Sequence, residues 1–222
     1  MLWDGLQMTV LVGLCALVVA LLMGLIGALA KLSRSKALRT AAQIYTTVVR
    51  GVPELLIILL VYYGVPTLIQ DVLAGLGHPD VVIDFDRFTA GVLTIGFIYG
   101  AFATEVFRGA FLAVPRGQIE AAQAFGMNPR LVLWRITLPQ VWRFALPGLG
   151  NIWLILIKAT ALISVIQLDE LTRRADMAAR AVHLPFTFFF VTSLIYLGIT
   201  AVSMAVQGRA ERWARRGVRS AV

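Results

Sequence analysis

Residues 9 to 30, TVLVGLCALVVALLMGLIGALA, form an apolar run without a single charged position. The run is long enough to cross a hydrocarbon core that requires about 20 helical residues. Four more apolar stretches follow near residues 53–73, 88–108, 144–166 and 186–207, each set off by a polar, charge-bearing connector. This pattern predicts an all-α membrane protein with about five transmembrane helices. Ala28-Leu29-Ala30 at the end of the first run has the outline of a leader cleavage site. The preceding segment nevertheless holds Asp4 and no cation, and the run exceeds the roughly 7 to 15 apolar residues of a leader peptide, so the helix is expected to be retained.

Composition supports that reading. Of 222 residues, 59% are hydrophobic and 14% charged, and the mean hydropathy is +0.82, too apolar for a soluble core. A net charge of +8 in a soluble domain would suggest nucleic acid. Here the cations sit in short connectors, where they fix topology, and no nucleic-acid partner is expected. The single cysteine, Cys15, lies within the first run and is expected to pack between helices.

The connectors alternate in charge. The first carries Lys31, Arg34, Lys36, Arg39 and Arg50 without an acid, and the second has Asp80, Asp84 and Asp86 against Arg87. The third holds Arg108, Arg116, Arg130, Arg135 and Arg143 against Glu120, and the C-terminal segment holds Arg209, Arg212, Arg215, Arg216 and Arg219 against Glu211. The positive-inside bias then places the N-terminus outside, in the periplasm, and the C-terminus in the cytoplasm. On this topology the stretch EAAQAFGMNPRLVLWRITLP, residues 120–139, lies on the cytoplasmic face.

That stretch reads as two short helices joined by a tight turn. Glu120, Ala121, Ala122 and Ala124 favour helix, and Gly126 suits a left-handed C-terminal cap. Asn128 is a helix-capping type and Pro129 suits a first helical position, with Leu138-Pro139 closing the second helix before the next span. An interfacial segment lying on lipid accounts for Trp134 and the arginines, and a hairpin docked in a partner also accounts for the alanines and the glycine turn. A DNA-binding helix-turn-helix lacks its separate core here.

The segment EAAQAFG (120–126), followed at the same spacing by Ile136-Thr137-Leu138-Pro139, resembles the coupling motif of permease subunits of bacterial ATP-binding-cassette importers. YTTVVRGVPELL (45–56), FIYGAFATEVFRGAFLAVPRGQIEAA (97–122), RFALPGLGNIWL (143–154) and KATALISV (158–165) are similar to the polar amino-acid branch, and within it to the histidine/lysine-arginine-ornithine type. The resemblance implies the type I importer permease fold, a single transmembrane domain over 1–222, and a coupling segment at about 118–139 seated in a cytoplasmic ATPase. It also implies two ATPase subunits carrying ATP and Mg, a second homologous or identical permease, a periplasmic amino-acid-binding protein, and a multi-pass location in the bacterial inner membrane. The chain departs from many polar amino-acid permeases at Ala159, Thr104 and Gln167, the last standing where a glycine is common. The first two departures agree with the basic amino-acid subgroup.

Ionisable residues within spans are costly, roughly 2.5 to 3.5 kcal/mol each on insertion scales, so they mark partners or wet cavities. Glu54 and Glu105 are read either as partners of nearby Arg50 and Arg108 at the inner boundary or as a negative lining for a cationic solute. Lys158 is read as a counter-ion for a buried acid or as a pathway residue. Asp169 and Glu170 are read as loop acids or as carboxylates pairing with a guanidinium. Asp80, Asp84 and Asp86 are solvated loop acids or contacts for the binding protein. Asn151 and Trp153 suit helix-helix packing, and His78 and His183 lack metal-ligand spacing, so no metal and no catalytic residue is expected. The phosphate-binding pattern G-x-x-x-x-G-K-[ST] is absent from the sequence, so ATP hydrolysis is expected on a separate subunit. The expected function is ATP-driven import of a polar, basic amino acid by alternating access. A membrane anchor that recruits a cytoplasmic partner through the 120–139 hairpin, and a channel, are the alternatives.

Overall fold

The computed structural model describes residues 1–78 and 81–214. Asp80 of the second connector and Arg215, Arg216 and Arg219 of the C-terminal segment lie outside the described residues. Among the described residues, five helical segments are long and apolar enough to span a membrane: Leu2–Leu32, Glu54–Gly75, Arg87–Leu112, Pro129–Ile166 and Pro185–Ala214. Each contains or closely overlaps a run predicted from hydropathy and extends beyond it into the flanking polar residues. We label the elements α1 (Leu2–Leu32), α2 (Lys36–Gly51), α3 (Glu54–Leu59), α4 (Val65–Gly75), α5 (Arg87–Leu112), α6 (Arg116–Ala124), α7 (Pro129–Val132), α8 (Leu138–Ala159), α9 (Leu171–Val182) and α10 (Pro185–Ala214). Single π-helical turns at Leu60–Gly64 and Leu133–Thr137 bridge α3 to α4 and α7 to α8, and a 3-10 segment, Thr160–Ile166, extends α8.

The centre of the fold is the pairing of α1 with α5, the most extensive contact between elements. Small residues make it possible. The buried face of α1 carries Gly13, Ala16, Ala20, Gly24 and Gly27 at helical spacing, and α5 answers with Gly96, Gly100, Ala103 and Thr104. A methyl group added at Gly24 would sit 2.5 Å from the Ala103 Cβ, so the backbones approach as closely as small-residue seams in membranes allow. At the N-terminal end of α5, Asp86 caps the helix by accepting from the Thr89 N–H at 2.8 Å. That backbone donor holds the Asp86 carboxyl below the usual carboxylate range.

By contrast, α10 contributes one buried residue, Thr192, and leaves many large apolar side chains on its surface. It is tied to α8 by the Trp153 indole N–H, which donates to the Ser203 hydroxyl at 2.9 Å. Trp153 therefore packs between helices, whereas Asn151 is exposed.

Two features correct the sequence reading. Leu138-Pro139 does not close the second hairpin helix, because α7, the π turn and α8 run on without a break. Pro139 has no N–H to give, and it falls directly after the π turn Leu133–Thr137, where the regular i→i−4 ladder is already interrupted. The polar connectors are also not loops throughout: residues 36–51 and 171–182 form the amphipathic helices α2 and α9.

The 3-10 segment ends at Gln167, whose φ of +62° lies in the left-handed region. A side chain there costs roughly 1 to 2 kcal/mol. Gln167→Gly should raise the thermal stability of the purified protein by up to about 1 kcal/mol, part of the gain being lost to unfolded-chain entropy. Gln167→Val should lower it by a similar amount, and an unchanged melting temperature in both would contradict the strain.

Candidate functional site

The 116–137 hairpin stands at the end of the bundle where α5 stops and α8 begins. The α6 helix ends on Gly126, whose φ of +77° lets the Gly126 N–H donate to Gln123 O at 2.9 Å and the Met127 N–H to Ala122 O at 3.1 Å. These bonds satisfy carbonyls that would otherwise be orphaned. Two residues later the Asn128 side chain accepts from the Leu131 N–H at 2.9 Å, capping α7 with Pro129 at its first position. The Gln140 side chain donates to Gln118 Oε1 at 2.6 Å, fastening α6 to α8.

Ala122 is the buried residue of α6, and Glu120, Ala121, Ala124, Asn128 and Pro129 are exposed. Phe125, which sequence reasoning passed over, is 89% exposed at the tip, and Trp134 is 70% exposed. A phenylalanine in an otherwise polar turn was the available signal.

A second cluster joins α1, α2 and α5. Lys31, in the last turn of α1, has a side chain only 6% exposed, and it forms an ion pair with Glu105. Its ammonium also donates to Gln43 Oε1 at 2.8 Å and to Thr46 Oγ1 at 2.6 Å, so all three of its donors are used. The other Glu105 oxygen accepts from Arg108 at 2.9 Å. Arg39 and Arg50 line the same cleft without an ion-pair partner among the described residues. Sequence reasoning anticipated Arg108 beside Glu105 and missed Lys31, 74 residues away.

Glu54 corrects the expected placement at the inner boundary. Tyr99, midway along α5, donates its hydroxyl to the Glu54 carboxylate at 3.0 and 3.1 Å, so this acid lies level with the middle of the span. Arg50 does not pair with it; its guanidinium lies over the Phe102 ring, 5.1 Å from the centroid. One hydroxyl leaves most of the carboxylate's lone-pair positions open. The α3 helix, which begins with Glu54, packs against the 3-10 segment that follows Lys158.

Lys158 is exposed on α8 on the same face as Asn151 and Ile155, and it has no ion-pair partner among the described residues. It is not the counter-ion of a buried acid among the described residues. Polar side chains on the outward face of a spanning helix imply a wet cavity or a second subunit rather than lipid.

Between α8 and α9, Asp169 is exposed and Glu170 is 0% exposed. Glu170 caps α9, accepting from the Thr172 N–H at 2.8 Å and the Arg173 N–H at 2.7 Å. Beside it the Thr9 hydroxyl accepts from the Leu171 N–H at 3.1 Å, tying α9 to α1. Burial pushes the Glu170 carboxyl up from its ordinary value of 4.5 to about 7, against the lowering effect of those backbone donors. The native state thus holds this proton more tightly than the unfolded chain does, so stability is greatest below pH 4.5 and falls as pH rises to about 7. The full loss is about 3 kcal/mol. Glu170→Gln should remove that slope: the stability of the variant minus that of wild type should grow steadily in the variant's favour between pH 5 and 7 in thermal unfolding. A pH-independent difference would contradict the burial.

The chain matches the model of the family described as "Binding-protein-dependent transport system inner membrane component" over residues 10–216. It is 50% identical over 216 residues to the nopaline transport system permease protein NocQ of Agrobacterium fabrum, covering 97% of this chain and 92% of that protein. It is 44% identical over 218 residues to the histidine/lysine/arginine/ornithine transport system permease protein HisQ of Salmonella typhimurium, covering 98% and 95%. A solved structure of an amino acid ABC transporter with histidines superposes with a TM-score of 0.81 at 32% identity, over 95% of this chain and 92% of that one. With its helical architecture and near full-length coverage, the chain belongs to the family of binding-protein-dependent inner-membrane transport components.

Proposed function

We propose that this chain is a permease subunit for import of a basic amino acid or a derivative of one, working with a second permease, two cytoplasmic ATPases and a periplasmic binding protein. The hairpin end, rich in arginine and lysine, faces the cytoplasm in this reading. The observation that carries it is the continuous helical path from the hairpin to the polar face. From Pro129 at the hairpin to Lys158 the chain is helical throughout, a rod of about 45 Å. Displacement of the hairpin by an ATPase would therefore move Lys158 and the segment beside Glu54. Coupling through Glu120, Ala121, Ala122, Ala124, Gly126, Asn128 and Pro129, with Phe125 as the apolar insert, transmits the closure of the ATPases to the pathway.

Within the pathway, Lys158 suits the α-carboxylate of an amino acid and Glu54 suits a cationic side chain, each with charge-assisted capacity to spare. Asp169 is placed to meet solute at the outer end. Glu105 and Glu170 are engaged inside the fold and act as positioning residues. The relatives named for histidine, lysine, arginine, ornithine and nopaline support a cationic amino-acid class.

The deciding experiment reconstitutes the chain with its copurifying subunits in proteoliposomes and measures ATP-dependent uptake of labelled arginine against a panel of competing amino acids. Saturable accumulation inhibited by basic and not by acidic amino acids is expected. ATPase binding without flux would identify an anchor, and flux without ATP a channel.

A further inference from the structure

We propose that the cleft between the hairpin-side end of α1, helix α2 and α5 binds a phosphate-bearing anion. The cleft has a volume of about 570 Å³ and is lined by Lys31, Arg39, Arg50 and Arg108 against one carboxylate, Glu105. Lys31 and Arg108 already share that carboxylate. Arg39 and Arg50 have no carboxylate to meet among the described residues, although both residues line the same space.

Their positions follow from helix geometry. Residues 39, 43, 46 and 50 fall on one stripe of α2, and that stripe is fixed from behind: Thr46 is buried, and both Gln43 and Thr46 accept from Lys31. The cationic stripe is therefore presented by a held helix rather than by loose surface chains. Guanidinium forks match phosphate oxygens in bidentate geometry, and Thr40 and Gln43, also in the cleft, supply neutral polar groups beside them.

The same helix exposes Ile44 and Val48, at 58% and 55%, on another face. A helix with separate cationic and apolar faces at a bundle end is the arrangement that seats at a membrane interface and attracts anionic headgroups. Two sources offer the shared chemistry, an anionic phospholipid headgroup and free phosphate.

The test uses the full chain with its copurifying subunits in nanodiscs, read by native mass spectrometry. One arm contains phosphatidylglycerol diluted in phosphatidylcholine, and the other contains phosphatidylcholine with inorganic phosphate added. Arg39→Gln/Arg50→Gln leaves Lys31, Glu105 and Arg108 in place, so the variant keeps the ion cluster that holds α1, α2 and α5 together. Loss of two cations should weaken anion retention roughly thirtyfold, and Arg39→Lys/Arg50→Lys should restore part of it. Wild-type retention of phosphatidylglycerol that the Gln pair loses identifies the lipid source. Variant-dependent retention of phosphate in the second arm identifies the soluble source. Equal retention by wild type and the Gln pair in both arms would overturn the proposal. So would cross-links from a photoreactive residue at Thr40 that reach only acidic side chains of a neighbouring subunit.

Discussion

Gly126→Val should abolish most ATP-dependent uptake while leaving the protein in the membrane. Gly126 adopts φ +77°, and a Cβ added there would meet nothing within 4 Å, so the effect is one of backbone strain and not of collision. A β-branched residue in the left-handed region is a genuine outlier, costing roughly 1 to 2 kcal/mol. That sum is small against the packing of α1 on α5, but it falls on the turn whose two backbone bonds define the angle between α6 and α7. If the hairpin escapes the strain by unwinding, Phe125 and Asn128 leave their positions and the docked state loses at least the same free energy. A loss of about 1.4 kcal/mol is about tenfold in an equilibrium, so uptake should fall roughly tenfold or more. Gly126→Asn is the control, because asparagine tolerates the left-handed conformation, and it should keep most of the activity. Uptake by the valine variant at the wild-type rate, with equal protein in the membrane, would remove the hairpin from the mechanism.

The parts of this architecture that sequence made legible are those set by local chemistry. Hydropathy located all five spans, because a run such as 9–30 has no other stable environment. Gly126, Asn128 and Pro129 announced the hairpin, because each residue type has a narrow range of uses at a helix end. What escaped was set by tertiary contact. The α2 helix carries no long apolar run, so it read as a charged connector, although Ser35 accepts from the Leu38 N–H as an N-cap and the stripe at 39, 43, 46 and 50 has helical spacing. Glu54 was placed by its distance along the chain from Arg50. The break at Val52 and Pro53 turns the chain so that Glu54 meets Tyr99 in mid-span instead. The partnership of Lys31 with Glu105 depends on the register of α1 against α5. That register is set by glycine and alanine contacts along the whole seam, and no short motif encodes it.

That pair supports the second large effect. Glu105→Gln should destabilise the folded protein by about 3 kcal/mol, the range for stranding a buried charge. Lys31 would keep Gln43 and Thr46 as acceptors, yet its charge, on a side chain 6% exposed, would have no compensating anion. The Glu105 side chain is itself 24% exposed and Arg108 39% exposed, so part of the pair's attraction is screened and the lower end of the range applies. Arg108 can turn its guanidinium outward along its long stem, whereas Lys31 is confined between α2 and α5. Lys31→Met should therefore cost less than Glu105→Gln, since it leaves Glu105 with Arg108. The double variant Lys31→Met/Glu105→Gln should recover about 2 kcal/mol relative to the sum of the single changes, a coupling within the range for residues in direct contact. Thermal unfolding of the four proteins in the same nanodiscs supplies the cycle. Additive effects would show that Lys31 and Glu105 are neighbours without being partners, and that α2 is held to the bundle by packing and by the hydrogen bonds of Gln43, Tyr45 and Thr46.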